Sequence, residues 1–464
     1  MEAFITAIEN ANKWLNDIVW GAPMLILIVG TGIFLTIRTG FFQFGKFGHA
    51  MKNTIGKIAQ KPKKVEKGAV TPFQAMTTAL AATVGTGNIA GVAGAIAIGG
   101  PGAVFWMWLS ALFGMATKYA EVVLALRFRE RNSKGEWVGG PMYYIVNGLG
   151  GGFKWLAVLF AVFGALAAFG IGNMTQANTI AESVRGTAAI FNPALATSAT
   201  TINIIVGVIV ALFIAVVIIG GVKRVGSVTE KLVPFMSLIY IIGALIIVFT
   251  NIDKIGSVFS LIIKGAFQPE AAVGGVTGIT IMTAMQRGVG RGVFSNEAGL
   301  GSAPIAHAAS SESNPVKQGL YGIFEVFMDT IVICTLTALS ILMSGVTIPY
   351  GEGAGVGLSI SAFSTLFGGQ LGSLLITIGI VLFATSTILS WSLYGTRCCE
   401  FLLGEKAVRP YQIVFIVFIV VGTNIKLDLA WNIADTLNGL MAIPNLVALL
   451  GLSGVVVRLT RGYR

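Results

Sequence analysis

The chain has 464 residues, of which 55 % are hydrophobic and only 11 % charged, with a mean hydropathy of +0.83. Soluble domains run near ~25 % charged residues, so the composition excludes a soluble protein and points to repeated membrane crossings of about 20 apolar residues each. The net charge of +11 does not signal nucleic-acid binding, because the basic residues sit in short connections between apolar runs.

The apolar runs predict an all-α integral membrane protein with eleven transmembrane helices, at 14–37, 71–97, 101–129, 155–186, 201–220, 228–250, 276–308, 318–345, 371–402, 408–424 and 428–457. The first run is preceded by Glu2, Glu9 and Asp17 and has no basic leader, so it is expected to be a retained helix rather than a cleaved signal. The runs 201–220 and 408–424 are almost purely aliphatic or aromatic and are expected to face the lipid bilayer. Cys334, Cys398 and Cys399 are odd in number and lie in or beside apolar runs, which gives no disulfide framework. His49 and His307 fall near predicted cytoplasmic ends and suggest no metal cluster.

Lys and Arg set the expected orientation. Of the 31 basic residues, 23 fall on one side, eight of them in the 38–70 connection, and 5 on the other. Lys118, Arg287 and Arg291 lie within spans. The N-terminus is therefore expected outside the cell and the C-terminus in the cytoplasm, in a multi-pass cell-membrane protein.

Two spans carry a Gly-X-Gly at mid-membrane depth. The second reads Ala81-Ala82-Thr83-Val84-Gly85-Thr86-Gly87-Asn88-Ile89-Ala90-Gly91, and the seventh Thr283-Ala284-Met285-Gln286-Arg287-Gly288-Val289-Gly290-Arg291-Gly292. They stand five spans apart and cross in opposite directions. Interrupted helices at matching positions of inverted halves mark a transporter's midplane site. Close helix packing is the competing explanation for such glycines. The expected division is 1–70, an extra helix with a basic cytoplasmic loop; 71–250, a first five-helix repeat broken near 85–88; and 251–464, a second broken near 286–292.

The run Gly85-Thr86-Gly87-Asn88-Ile89-Ala90-Gly91-Val92, followed by Gly99-Gly100-Pro101-Gly102-Ala103-Val104-Phe105-Trp106-Met107-Trp108, resembles the signature of the sodium:alanine/glycine symporter family. The run from Gly288 to Pro304 is similar to that family's second block, and the resemblance extends over essentially the whole chain. It implies the five-plus-five inverted-repeat fold of the bacterial leucine transporter with one extra helix in front. It also implies sodium-coupled uptake of alanine or glycine, with sodium and a small neutral amino acid as partners. The superfamily's Gly-X-Gly-Asn substrate motif stands here as Gly85-Thr86-Gly87-Asn88. Ala284 occupies a place where a hydroxyl is expected, which argues against a second sodium.

An amino-acid site must satisfy a carboxylate and an ammonium away from bulk water. Free amides at a broken helix's N-terminus suit the carboxylate, so Thr86 and Gly87 are candidates, with Gly85 admitting close backbone approach. The carbonyls of Thr283 and Ala284 and the amide of Gln286 are candidates for the ammonium; Gln286 could instead cap the broken helix. Phe169, Asn173 and Gln176 share a helix face at spacings of 3 and 4, either lining the site or bonding to a neighbouring helix. Met282 and Trp391 would complete the wall, although tryptophans also favour the interfacial belt.

Sodium prefers oxygen, as other hard cations do. The first broken helix exposes carbonyls at Ala81 and Val84, and the ninth span offers the Leu382 carbonyl with the hydroxyls of Thr385 and Ser386. This pattern matches the sodium site shared by the superfamily; simple back-bonding of the two hydroxyls to their own helix is the alternative. Arg287 and Arg291 are expected to pair with Glu325 or Asp329. A proton-coupled symporter using either carboxylate is the alternative function. Channel, receptor, enzyme and nucleotide-driven pump find no supporting motif.

Overall fold

The computed structural model describes residues 2–57, 65–269, 279–424 and 427–463. Lys61, Lys63, Lys64, Lys426 and the first residues of the predicted seventh span, 276–278, lie outside them. The described chain is nearly all helical. The one sheet among the described residues is a hairpin pairing β1 (Glu130–Arg131) with β2 (Trp137–Val138).

In chain order the principal helices are α1 (Glu2–Val19), α2 (Ala22–Arg38), α3 (Pro72–Thr83), α4 (Ala90–Gly99), α5 (Gly102–Arg127), α6 (Lys154–Phe169) and α7 (Thr175–Phe191). Next come α8 (Ala199–Ile218), α9 (Gly221–Thr250), α10 (Ile255–Phe267), α11 (Ile281–Asn296), α12 (Ala303–Ala308) and α13 (Pro315–Val326). The last are α14 (Thr335–Met343), α15 (Val356–Phe367), α16 (Gly369–Leu403), α17 (Val408–Gly422), α18 (Leu427–Gly451) and α19 (Ser453–Arg461).

Eight helical segments among the described residues are long and apolar enough to cross a membrane, and the bent pair α3–α4 makes nine. Eleven spans were expected. The two that fall short are the predicted seventh and tenth, because α11, α12 and α17 have only 16, 6 and 15 residues. Both predicted lipid-facing helices turn large aliphatic side chains outward, with Ile209 and Leu212 of α8 and Ile413 of α17 more than 60 % exposed. An apolar surface of this kind is stable only against lipid.

The first break falls where the sequence places it. Thr71 and Gln74 cap the start of α3 by reciprocal bonds of 3.0 and 3.1 Å, with Pro72 in the first turn. The helix stops at Thr83, Gly85 is extended, Thr86–Asn88 form a single 3-10 turn, and α4 leaves at 54° to α3. Asn88 holds this bend by accepting the Gly85 N–H at 2.8 Å.

The second break does not fall at 286–292. Helix α11 runs unbroken through those residues, and the interruption lies between Asn296 and Ala303. Glu297, Gly299 and Gly301 there have φ of 57°, 94° and 82°, which only glycine adopts without strain. Gly288 and Gly292 serve helix packing instead. A Cβ on Gly288 would lie 2.2 Å from the Ala103 carbonyl of α5, and one on Gly292 2.8 Å from Ser110 Oγ. Four residues apart, they form a small-residue face that lets two backbones approach closely.

Candidate functional site

The two breaks, α7 and α16 meet around a small cavity lined by Gly85, Gln176, Phe294, Glu297, Thr387 and Trp391, among others. Its volume is about 10 Å3, on a scale where one water needs about 10–15 Å3. Any larger occupant must displace the side chains around it.

At the first break, the Thr86 amide donates to Gln176 Oε1 at 3.4 Å. The Thr86 hydroxyl is buried and has no hydrogen-bond partner among the described residues. Gly85 is tightly enclosed, since a Cβ would stand 2.5 Å from Thr387 Oγ1. A Cβ on Gly87 would meet Phe294 and Ser295 at van der Waals distance. Asn88 is fully engaged in structure: besides accepting from Gly85, its amide donates to Asp329 Oδ1 at 2.6 Å. Asp329 also accepts from Ser295 and Thr330.

Gln176 reaches the cavity, but Phe169 and Asn173 do not share its face. Residues Gly170–Met174 form a π-helical segment between α6 and α7, whose wider turn rotates α7 relative to α6. The predicted spacing of 3 and 4 therefore fails. Phe169 packs on Tyr411, Phe415 and Phe418, and Asn173 donates to the Phe415 carbonyl at 2.6 Å, so both meet α17. Trp391 belongs to the cavity and not to an interfacial belt. It is 1 % exposed, and a Cβ on Gly172 would lie only 2.1 Å from its own Cβ.

The displaced second break moves the remaining candidates. Met282 is half exposed, Thr283 bonds to Thr280 at the start of α11, and Ala284 packs against Gly99. Gln286 lines a separate recess beside Arg287 and Arg291. None of the four lines the central cavity. Ala284 does not precede the break and so has no bearing on a second sodium; the residues immediately before the break are Ser295 and Asn296.

At the second break it is Glu297, and not the 283–286 segment, that lines the cavity. Its carboxylate accepts from Trp391 Nε1 at 2.8 Å and from Ser302 Oγ at 2.5 Å. Behind it, Glu121 Oε1 of α5 accepts from the Gly299 and Gly301 amides at 3.0 and 3.1 Å and from Asn445 Nδ2 at 2.6 Å. Tyr144 donates in turn to Asn445 Oδ1. Lys118, one turn before Glu121, is fully buried, and its Nζ has no hydrogen-bond partner among the described residues. The signal for these groups was in the sequence, as ionisable residues within spans and two glycines flanking Leu300.

The expected arginine–carboxylate pairing is not formed. Arg291 pairs with Asp435 of α18 at 3.7 Å, while Glu325 meets His307 at 2.6 Å. With the break after Asn296, Arg287 and Arg291 sit in the half of the second broken element beside α1, and His307 in the other half.

Of the five predicted ion ligands, Ala81 and Ser386 face each other, with Ser386 Oγ 3.3 Å from the Ala81 carbonyl. Thr387, absent from the prediction, donates to the same carbonyl at 3.0 Å. Ser386 also bonds back to Phe383 at 2.8 Å. Val84 lies in the break, Thr385 is 9 % exposed and Leu382 is half-buried.

The description of the sodium:alanine symporter family matches residues 5–464. The chain belongs to that family. It is 48 % identical over 453 residues to the sodium/alanine symporter AgcS of Methanococcus maripaludis, covering 97 % of this chain and 96 % of that one. It is 37 % identical over 449 residues to the probable sodium/glutamine symporter GlnT of Bacillus subtilis, covering 97 % and 89 %. The crystal structure of MhsT in complex with L-phenylalanine superimposes with a TM-score of 0.58 at 11 % identity, over 85 % of this chain and 99 % of that one. The fold is therefore that of the leucine-transporter class, and the symporter is a multi-pass membrane transporter rather than an enzyme.

Proposed function

We propose that the protein carries alanine and glycine into the cell with sodium, by alternating access of the halves 71–250 and 251–464. The observation that carries this reading is the bend at Gly85. It takes the Thr86 amide out of the helix ladder to meet Gln176 Oε1 and leaves the Thr86 hydroxyl unpartnered among the described residues, while Gly85, Gly87 and Gln176 line a cavity walled by Trp391 and Glu297. Exposed amides at a helix start favour a carboxylate.

The co-transported ion sits, on this reading, between α3 and α16, held by the carbonyls of Ala81, Val84 and Leu382 and the hydroxyls of Thr385 and Ser386. Hard cations such as calcium lie about 2.3–2.6 Å from their oxygens, so neighbouring ligands stand about 3.3–3.7 Å apart. Ser386 Oγ and the Ala81 carbonyl already meet across the two helices in a 3.3 Å hydrogen bond, which an ion between them would replace. An ion there ties α16 to the broken helix and favours the substrate-ready break, a coupling that must be reciprocal. Proton coupling through Asp329 is the weaker reading, because three donors already engage that carboxylate. With 23 basic residues on one side, the N-terminus lies outside and the C-terminus in the cytoplasm.

Equilibrium binding of labelled alanine against sodium concentration tests this reading. Gln176→Ala should weaken alanine binding, and Thr385→Ala combined with Ser386→Ala should raise the sodium required. Wild-type sodium dependence in the double variant would misplace the ion.

A further inference from the structure

An open basin of about 790 Å3 lies where α16 gives way to α17, lined by Lys134, Leu403, Glu405, Lys406 and Arg409, among others. Lys134, Glu405, Val408 and Arg409 also line a deeper recess of about 160 Å3 beside it. That recess reaches between the turn joining α8 to α9 and the last turns of α16. Ile218, Val222, Val225 and Leu393 give it an apolar wall.

Most charges here are already matched. Arg397 donates to Glu136 at 2.7 Å and to Glu400 at 2.5 Å. Lys134 pairs with Glu405 at 2.6 Å, and Ser133 donates to the same carboxylate. Lys406 and Arg409 differ. Both are exposed, and neither takes part in an ion pair among the described residues. With Lys134 and Glu405 cancelling, the basin keeps two unbalanced positive charges.

The basin also borders the lipid-facing surface. Helices α8 and α17 pack antiparallel, since a Cβ on Gly207 near the start of α8 would lie 2.8 Å from Thr423 Oγ1 just beyond the end of α17. The end of α8 therefore meets the start of α17 at the recess. Away from it, Leu212 and Val216 of α8 and Ile413 and Val417 of α17 present exposed apolar side chains. At the edge itself Ile219 and Leu403 are 79 % and 72 % exposed.

We infer that the basin is a site for an anionic phospholipid, with Arg409 and Lys406 taking the phosphate and the acyl chains lying along α8 and α17. A guanidinium meets phosphate oxygens two at a time, and an ammonium adds a point charge. Two unbalanced cations favour an anionic headgroup over a zwitterionic one, whose own ammonium they would repel. The apolar flank favours a lipid over a free phosphate. On the proposed orientation the basin faces the cytoplasmic leaflet, where anionic lipids attract basic groups.

The test is titration of phosphatidylglycerol into the purified full-length protein in uncharged detergent, with bound lipid counted by native mass spectrometry. The wild type should bind phosphatidylglycerol in preference to phosphatidylcholine. Lys406→Gln combined with Arg409→Gln should melt with the wild type in detergent alone, and should bind phosphatidylglycerol about thirtyfold more weakly, at roughly fivefold per lost cation. Lys46→Gln combined with Lys52→Gln removes two exposed charges elsewhere, and should keep wild-type affinity within twofold. Equal binding of the two lipids by the wild type, or wild-type affinity in the Lys406 and Arg409 double variant, overturns the site. An equal loss in the Lys46 and Lys52 double variant reduces it to general basic charge and overturns it too. Displacement of the lipid by equimolar glycerol 3-phosphate would assign the basin to a soluble phosphate instead.

Discussion

The indole of Trp391 donates to the carboxylate of Glu297 at 2.8 Å, joining α16 to the second helix break across the wall of the central cavity. Trp391→Ala removes both the wall and the donor. The expected outcome is a shift in substrate profile toward valine and leucine, with weaker alanine binding. Competition by unlabelled amino acids measures it, and an unchanged profile removes Trp391 from the site.

Glu121 shapes the same break from behind. Its Oε1 gathers the Gly299 and Gly301 amides and the Asn445 amide. Hydrogen bonds to a charged group contribute about 1.5–3 kcal/mol each, and stranded buried donors cost more. Glu121→Ala should therefore lower the melting temperature sharply and abolish alanine binding. A variant that melts with the wild type would show that the break holds without this carboxylate.

The glycines of α11 separate a packing role from a break. A Cβ on Gly288 would stand 2.2 Å from the Ala103 carbonyl, whereas one on Gly290 meets nothing within 4 Å. Gly288→Ala should destabilise the protein markedly. Gly290→Ala should be neutral or stabilising by about 0.5–1 kcal/mol, the helix propensity difference. Thermal melting of the two variants decides between them. Loss of folding in Gly290→Ala would restore an interruption at 286–292.

Gly85 answers differently. Gly85→Val should abolish alanine binding, since any Cβ meets Thr387 Oγ1 at 2.5 Å in the lining of the cavity and a β-branched residue resists the extended break. Transport at the wild-type rate by this variant would remove the first break from the site.

These contrasts show which features the residues made legible. The first break was readable because Gly85 is followed by Asn88, whose side chain caps the bend it creates. The second was misplaced because Gly-X-Gly spacing also suits close helix packing, and only neighbours on α5 distinguish the two uses. Gln176 and Trp391 line the cavity, where the residues alone left a bond to a neighbouring helix open for the one and a place in the interfacial belt open for the other. Phe169 and Asn173 do not, because a π-helical turn shifts the register, and no pattern of polar residues announces that turn. Thr387 escaped notice because only the fold brings its hydroxyl to the Ala81 carbonyl.

Sidedness is open to chemical labelling. A single cysteine at Lys57 should react only from the cytoplasm and one at the exposed Glu352 only from outside. Reaction of both from one side would invert or break the proposed topology.

Uptake of labelled alanine into proteoliposomes, with sodium and proton gradients imposed separately, tests the account most directly. An inward sodium gradient alone should drive accumulation above equilibrium, and an inward proton gradient without sodium should not. Accumulation driven by the proton gradient in sodium-free buffer would contradict sodium coupling.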